Sequence, residues 1–464
     1  MLELILLSSI FLVVPAPGTG TIHSVLPDGQ GPYPTIQAAI DSALAGDVIE
    51  LADGVFAGAG NRELDFRGKA LILRSQNGDP GTCVIDCGNG GRALWFHSGE
   101  SADALVLGIT IRSGLGKPEG GAILCEGIAS PTIAHCTFSG NRAERGGAIA
   151  CRGGSGPAII GCDFSGNQAK MGGAICAIDL AHPSLEHCRV TGNQAEHGGA
   201  IAGVQGASPQ MSECLVVGNR ATKEGGAVWC QSSSPTVSQC TLADNHGQIA
   251  GGGIAARDMS AVSLEKSIIV FSTAGGAVSC DANSVAIVSC CNIFGNAGGD
   301  WDGAIANRAT DRGNSSQDPL FCSELYPPAP RMLRSDSPCA PQQTRGCGRI
   351  GARAVGCDRP LSDAEEAPGS RLFLQPIGSN PFAPPARIDY GVPASDGPLR
   401  LSLAVFDLQG RLVRRLVDRP HGPGTFTATW DGRDVGDRPV ADGLYFCRLR
   451  FGEHRLTRQL LLIR

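Results

Sequence analysis

A Gly-Gly-(Ala/Gly)-(Ile/Val) tetrad begins at Gly120, Gly146, Gly172, Gly198, Gly225, Gly251 and Gly275, at intervals of 26, 26, 26, 27, 26 and 24 residues. A period in this range marks a repeat architecture in which each unit stacks on the next. Inside the unit the columns are chemically specific. An apolar column runs Ile133, Ile159, Leu185, Met211, Val237, Leu264, Val288. Three residues on stands Cys136, Cys162, Cys188, Cys214, Cys240, Ser267, Cys291, and two further on Phe138, Phe164, Val190, Val216, Leu242, Ile269, Ile293. A polar column follows: Asn141, Asn167, Asn193, Asn219, Asn245, Ser272, Asn296. Apolar residues two apart are strand alternation, and no apolar stripe of helical period fills a repeat. Each unit therefore reads as two or three short strands joined by bends. One coil has no core of its own, but coils stacked about 4.8 Å apart place like on like. The asparagines can then hydrogen-bond from coil to coil, which a charged residue could not do.

The 65 glycines and the low shares of aromatic (5%) and charged (18%) residues agree with many tight turns between short strands. A net charge of −6 gives no reason to expect a nucleic-acid partner. That charge is uneven, because from Arg371 onward 14 Arg face 8 Asp and 1 Glu. The tail thus carries +5 and the remainder −11. Residues 5–14 form an apolar stretch of signal-peptide length, too short to span a bilayer, although Glu3 is atypical there. Residues 1–21 are expected to be an export signal, with no transmembrane span after them.

Upstream of the clear repeats, degenerate coils occupy residues 64–75, 82–87, 93–96 and 105–111, for about ten coils in all. Before them Ile36, Ala39, Ile40, Ala43 and Leu44 are apolar at helical spacing behind Thr35, a suitable N-cap. A short helix there would cover the open end of the stack. The run Tyr33-Pro34-Thr35-Ile36-Gln37-Ala38-Ala39-Ile40, followed by Gly46-Asp47-Val48-Ile49, resembles the entry of pectin-lyase-like β-helix proteins. The Gly-Gly-Ala-Ile and Phe-Ser-Gly-Asn units are similar to repeats of bacterial surface β-helices, chlamydial polymorphic outer-membrane proteins among them. This resemblance covers residues 22–357 and implies an all-β chain built on a right-handed parallel β-helix. For function it implies little, since that fold hosts lyases, hydrolases, epimerases, adhesins and passenger domains.

Residues 358–370 read as a polar linker, and residues 371–464 as longer alternating strands of a small β-sandwich. Asn380-Pro381-Phe382, the run from Val405 to Arg411, Trp430-Asp431-Gly432-Arg433 and Gly443-Leu444-Tyr445-Phe446 resemble the Ig-like module of flagellar hook-capping proteins. They are also similar to the C-terminal sorting domains of type IX secretion cargo. The resemblance implies delivery of a bacterial protein to the cell surface, the outer membrane or the medium, with envelope or secretion machinery as a partner of the tail.

Nineteen cysteines in an exported chain suggest disulfides. Most of these, however, lie in ladders whose spacing exceeds that of a relaxed bridge, so they are expected as packed thiols. A straight row of thiolates cannot close a tetrahedron around a metal, and no pattern calls for a metal or cofactor. Cys322, Cys339, Cys347 and Cys357, in the C-terminal cap, are expected to contain a disulfide; Cys83 and Cys87 are weaker partners. For catalysis the only candidates are His187 and Glu213. They stand on adjacent coils in a column that also holds His135, Gly161, Gln239, Lys266 and Cys290. Asp300 and Asp302 flank Trp301, where a sugar could stack. The leading expectation is a non-catalytic exported β-helix that binds a glycan or a cell-surface protein, an adhesin-like role. A polysaccharide lyase or hydrolase and a structural envelope spacer are the rivals.

Overall fold

The computed structural model describes residues 20–322, 331–344, 346–357 and most of 373–462, with two short strands at Ile5–Leu7 and Ile10–Leu12. The expected signal peptide lies largely, and the linker at 358–370 wholly, outside the described residues. The chain divides into two compact units, Met1–Asp358 and Arg359–Arg464.

The first unit is a parallel β-solenoid. Three sheets run along it: one of eleven strands, from Ile22–Val25 to Val285–Ser289; one of ten, from Gly54–Ala57 to Asn292–Phe294; and one of eight, from Leu94–Phe96 to Val278–Cys280. The stretches 64–75, 82–87, 93–96 and 105–111, expected as separate coils, are successive sides of the same few coils. Further coils form at Ile22–Val25 and Val48–Leu51, so the eleven-stranded sheet still exceeds the ten coils expected. Those two strands lack the tetrad and the Cys column, so nothing periodic announces them. A short three-stranded sheet (Gln194–His197, Arg220–Glu224, His246–Gly247) adds a fourth side to the middle coils.

Each step of the register joins like residues. Ile133 pairs with Ile159, Ile159 with Leu185, and Leu185 with Met211. Phe138 stacks on Phe164 with ring centroids 4.8 Å apart and planes 8° from parallel. The core is thus a continuous axial column, and each fully buried aliphatic or aromatic side chain contributes about 1.5–3 kcal/mol. Within it the asparagines form a hydrogen-bonded ladder. Asn167 Nδ2 donates to Asn193 Oδ1 at 2.9 Å, Asn193 to Asn219 at 2.9 Å, and Asn219 to Asn245 at 3.1 Å. Asp300 ends the row by accepting from Asn296 Nδ2 at 2.7 Å. That engagement, with Trp301 packed against the core, leaves the pair serving the solenoid end rather than a sugar.

The column holding His187 and Glu213 has a backbone explanation. His135, Gly161, His187, Glu213, Gln239, Lys266 and Cys290 all have φ between 48° and 60°. Each makes the left-handed bend between the eleven- and ten-stranded sheets.

At the N-terminal end the helix Ile36–Ser42 forms with Thr35 as N-cap, its hydroxyl accepting from Ala38 N at 3.2 Å. Ile36, Ala39 and Ile40 are buried, while Leu44 is 75% exposed, because the helix stops at Ser42. Beside it a buried network ties the first coil down. His23 Nε2 lies 3.0 Å from Asp47 Oδ2, and His23 Nδ1 2.7 Å from the Tyr33 hydroxyl. The Leu44 amide, the His23 side chain and the Thr21 amide, in that order, hold the Asp47 carboxyl below its ordinary range. A carboxyl whose folded pKa is depressed contributes stability above its unfolded pKa and loses it as pH falls through the folded value. Asp47→Asn is therefore expected to destabilise the protein at pH about 7 but to narrow the gap to wild type by pH about 3. Thermal melts at both pH values measure this, and an unchanged gap would refute it.

The C-terminal cap folds back along the outer face of the ten-stranded sheet. Leu333, Cys339, Cys347 and Ile350 pack there against Ala243, Ile268 and Val270. This packing gives one of the expected cap cysteines a partner outside the cap set. Cys347 is bonded to Cys290, at the last left-handed bend, and Cys339 is a buried free thiol. Cys322 is disulfide-bonded, and the side chain of Cys357 is outside the described residues. Cys83 and Cys87 are also free. They stand at the two ends of one extended stretch, about 13 Å apart at 3.3 Å per residue, well beyond bridging distance. Burial pushes both thiols up to about 12. The ladder cysteines Cys136, Cys162, Cys188, Cys214, Cys240 and Cys291 are buried and free.

The second unit contains a three-stranded antiparallel sheet (Phe373–Ile377, Ala386–Val392, Gly424–Trp430). A four-stranded one joins Leu399–Phe406, Leu412–His421, Gly443–Phe451 and His454–Leu462. Its core is built from Trp430, Ile388, Leu403, Val405 and Leu449. Among the described residues no helix is long and apolar enough to cross a membrane.

Candidate functional site

The register brings the sequence candidates His187 and Glu213 together, with His187 Nδ1 3.7 Å from Glu213 Oε2. The carboxylate is already engaged, however. Arg349, on the folded-back cap, forms an ion pair with Glu213. His187 also lies 3.6 Å from Glu186. Both Arg349 and His187 face the same oxygen of Glu213, Oε2.

A second place offers more room. On the eight-stranded sheet the first and third residues of each strand face the core, so the middle ones face outward. These are Trp95, Leu124, Ala150, Cys176, Ala202, Trp229, Ala255 and Ser279, joined in one register row. Small residues in the middle of the row make a sunken floor. One wall is the bridged row Glu119, Arg145, Met171, His197 and Glu224, immediately before each tetrad. The other wall is formed by Glu126, Arg152 and Ile178, each just after its strand, and by Val204, the last residue of its own. Between the walls lies a groove of about 820 Å³, lined by His97, Glu119, Glu126, Arg145, Arg152, Ile178, Asp179 and Gln205.

Two arginine bridges cross the floor. Arg152 Nη1 reaches Glu119 Oε2 at 3.3 Å, and its Nη2 reaches Glu126 Oε2 at 2.7 Å. Farther along, Arg257 Nη2 reaches Glu224 Oε1 at 2.7 Å. Glu119, whose side chain is 5% exposed, also receives Arg145 Nη1 at 2.9 Å. Between the bridges the trench is apolar: Cys176, Ile178, Ala202, Val204 and Trp229 cluster there with Met171. Burial raises the Cys176 thiol and lowers His197, the latter with help from Lys223, so both are neutral at neutral pH. At the open end Trp95 keeps 37% of its surface in solvent. Its ring lies 3.9 Å from that of His97, and its Nε1 donates to Glu126 Oε1 at 2.8 Å.

Sequence reasoning missed Trp95, Glu119, Glu126, Arg145 and Arg152. One signal was available: Glu119 with Arg145, and Glu126 with Arg152, are opposite charges one repeat apart. No group of three or more His, Cys, Asp or Glu among the described residues is arranged to hold a metal ion.

A family profile described as right handed beta helix region matches residues 75–242. Together with the observed coils it defines the first unit as a right-handed parallel β-helix. Among solved structures, the enzymatically active domain of tailspike protein 4 of bacteriophage CBA120 is similar at 12% identity and a TM-score of 0.29. That alignment covers 81% of this chain, which spans 61% of the tailspike domain's length. The corresponding domain of tailspike protein 2 is similar at 10% identity and a TM-score of 0.22, over 97% of this chain and 77% of that one. No curated protein matches the sequence.

Proposed function

We propose that this protein is an exported, non-catalytic β-helix that binds a glycan in the groove on its eight-stranded sheet. The observation that carries this reading is the pairing of Glu119 and Glu126 with Arg145 and Arg152 beside the half-open Trp95. Hydrolysis of a glycosidic bond needs one carboxyl as acid and a second as base or nucleophile. Here each groove glutamate is neutralised by an arginine, which suits holding a saccharide better than cleaving it. An exposed indole beside hydrogen-bonding side chains is what a sugar ring requires, an apolar face and a polar edge. The tail is read as an Ig-like module for sorting or surface attachment, on its resemblance to type IX cargo domains.

The test is a glycan-array and polysaccharide-turnover screen with the full chain. Binding without turnover is expected. Trp95→Ala should weaken binding about tenfold, the value of one lost aromatic contact of about 1.4 kcal/mol. Release of reducing or unsaturated sugars would replace this reading with a hydrolase or lyase. Silence in both assays would leave an envelope spacer.

A further inference from the structure

Building on the glycan reading of the groove, we infer that its ligand is an uncharged, hydroxyl-rich polysaccharide, and that polyuronates are disfavoured. The groove presents no uncompensated cation. All three guanidinium nitrogens of Arg152 face carboxylates, Nε and Nη2 those of Glu126 and Nη1 that of Glu119. Arg145 is held by Glu119 at 2.9 Å. At the far bridge Arg257 gives Nε and Nη2 to Glu224, and Nη1 to the carbonyls of Ala256 and Ser279. Asp179, at the rim, is exposed. Three carboxylates (Glu119, Glu126, Asp179) against two guanidiniums leave the lining with a formal charge of −1.

A polyuronate places a carboxylate on every residue. Each one entering this groove would shed its hydration and meet only guanidiniums already paired with Glu119 and Glu126, in a field of its own sign. A neutral hexose chain meets different conditions. Its hydroxyls can donate to Asp179 and to the Gln205 side-chain carbonyl, and an apolar ring face can lie against the half-open Trp95 at the groove's end.

The experiment is affinity electrophoresis of the full chain in gels containing a neutral glucan or galactomannan, or polygalacturonate or alginate, at low and high NaCl. The neutral polymers are expected to retard the protein at about tenfold lower concentration, with little change on adding salt, because screening acts only between charges. Asp179→Asn, which suits the left-handed backbone there (φ 52°), should raise polyuronate retention about threefold by bringing the lining to neutrality. Tighter, salt-sensitive retention by the polyuronates would overturn the inference and leave the glycan reading standing. Retention by neither class would overturn the glycan reading and this inference with it.

Discussion

Replacing Asn193 by aspartate is expected to destabilise the β-helix by about 3–5 kcal/mol, since two buried acceptors lose their donor at about 1–3 kcal/mol each and a charge is buried besides. Asn193 is fully buried. Its Nδ2 donates to Phe164 O at 3.1 Å and Asn219 Oδ1 at 2.9 Å, while its Oδ1 accepts from the backbone N and side-chain Nδ2 of Asn167. Aspartate keeps the acceptor but turns the donor into a second oxygen facing two oxygens. A protonated aspartic acid can donate again, so the folded pKa of the new carboxyl is raised. The lost stability should then return as pH falls through that raised pKa, and the recovery should be complete by the unfolded value of about 3.9. Urea midpoints of wild type and variant at neutral and acid pH measure both effects. A loss below about 1 kcal/mol at neutral pH, within the range of an ordinary surface change, would show that the ladder does not bear on stability.

Gly173→Ala is expected to cost about 3 kcal/mol or more, because over-packing a site whose neighbours are backbone forces the coils apart. A Cβ at Gly173 would stand 2.2 Å from Gly199 O and 2.8 Å from Gln194 N, and neither can turn aside like a side chain. Its neighbour Gly172 sits at φ 65°, where a side chain is strained for a different reason. Gly172 thus answers both a left-handed bend and a close approach to Ile175 O, 2.0 Å from a Cβ there, while Gly173 answers the close approach to the next coil. Thermal melting measures the change. A Gly173→Ala protein melting within a degree or two of wild type would contradict this close approach.

The legible part of the fold is the part that repeats. Asn167, Cys188 and Gly172 recur at one period because each touches its own kind on the next coil, so a single contact geometry writes itself into the sequence several times. Strands that do not repeat, such as Ile22–Val25, were invisible for the same reason. The disulfide shows where the reasoning stops. Cys347 reaches Cys290 across a separation of 57 residues, because the cap folds back over Ile268 and Val270. Nothing in the spacing of the cap cysteines encodes that path. Glu213 is similar: its place beside His187 follows from the period, but its capture by Arg349 does not.

The sequence by itself determined the stacked parallel coils, the interior columns of Ile, Cys, Phe and Asn, and the change to an all-β second unit. Local strand alternation and a fixed period suffice for those, since stacked neighbours are always one repeat away. Only the tertiary structure decided where a surface opens into a groove. That depends on how Ala150, Cys176 and Ala202 fall between the bulk of Leu124 and Trp229, and on arginines that cross from one wall to the other. Such contacts join different columns of the coil, and a period records only what happens within one column.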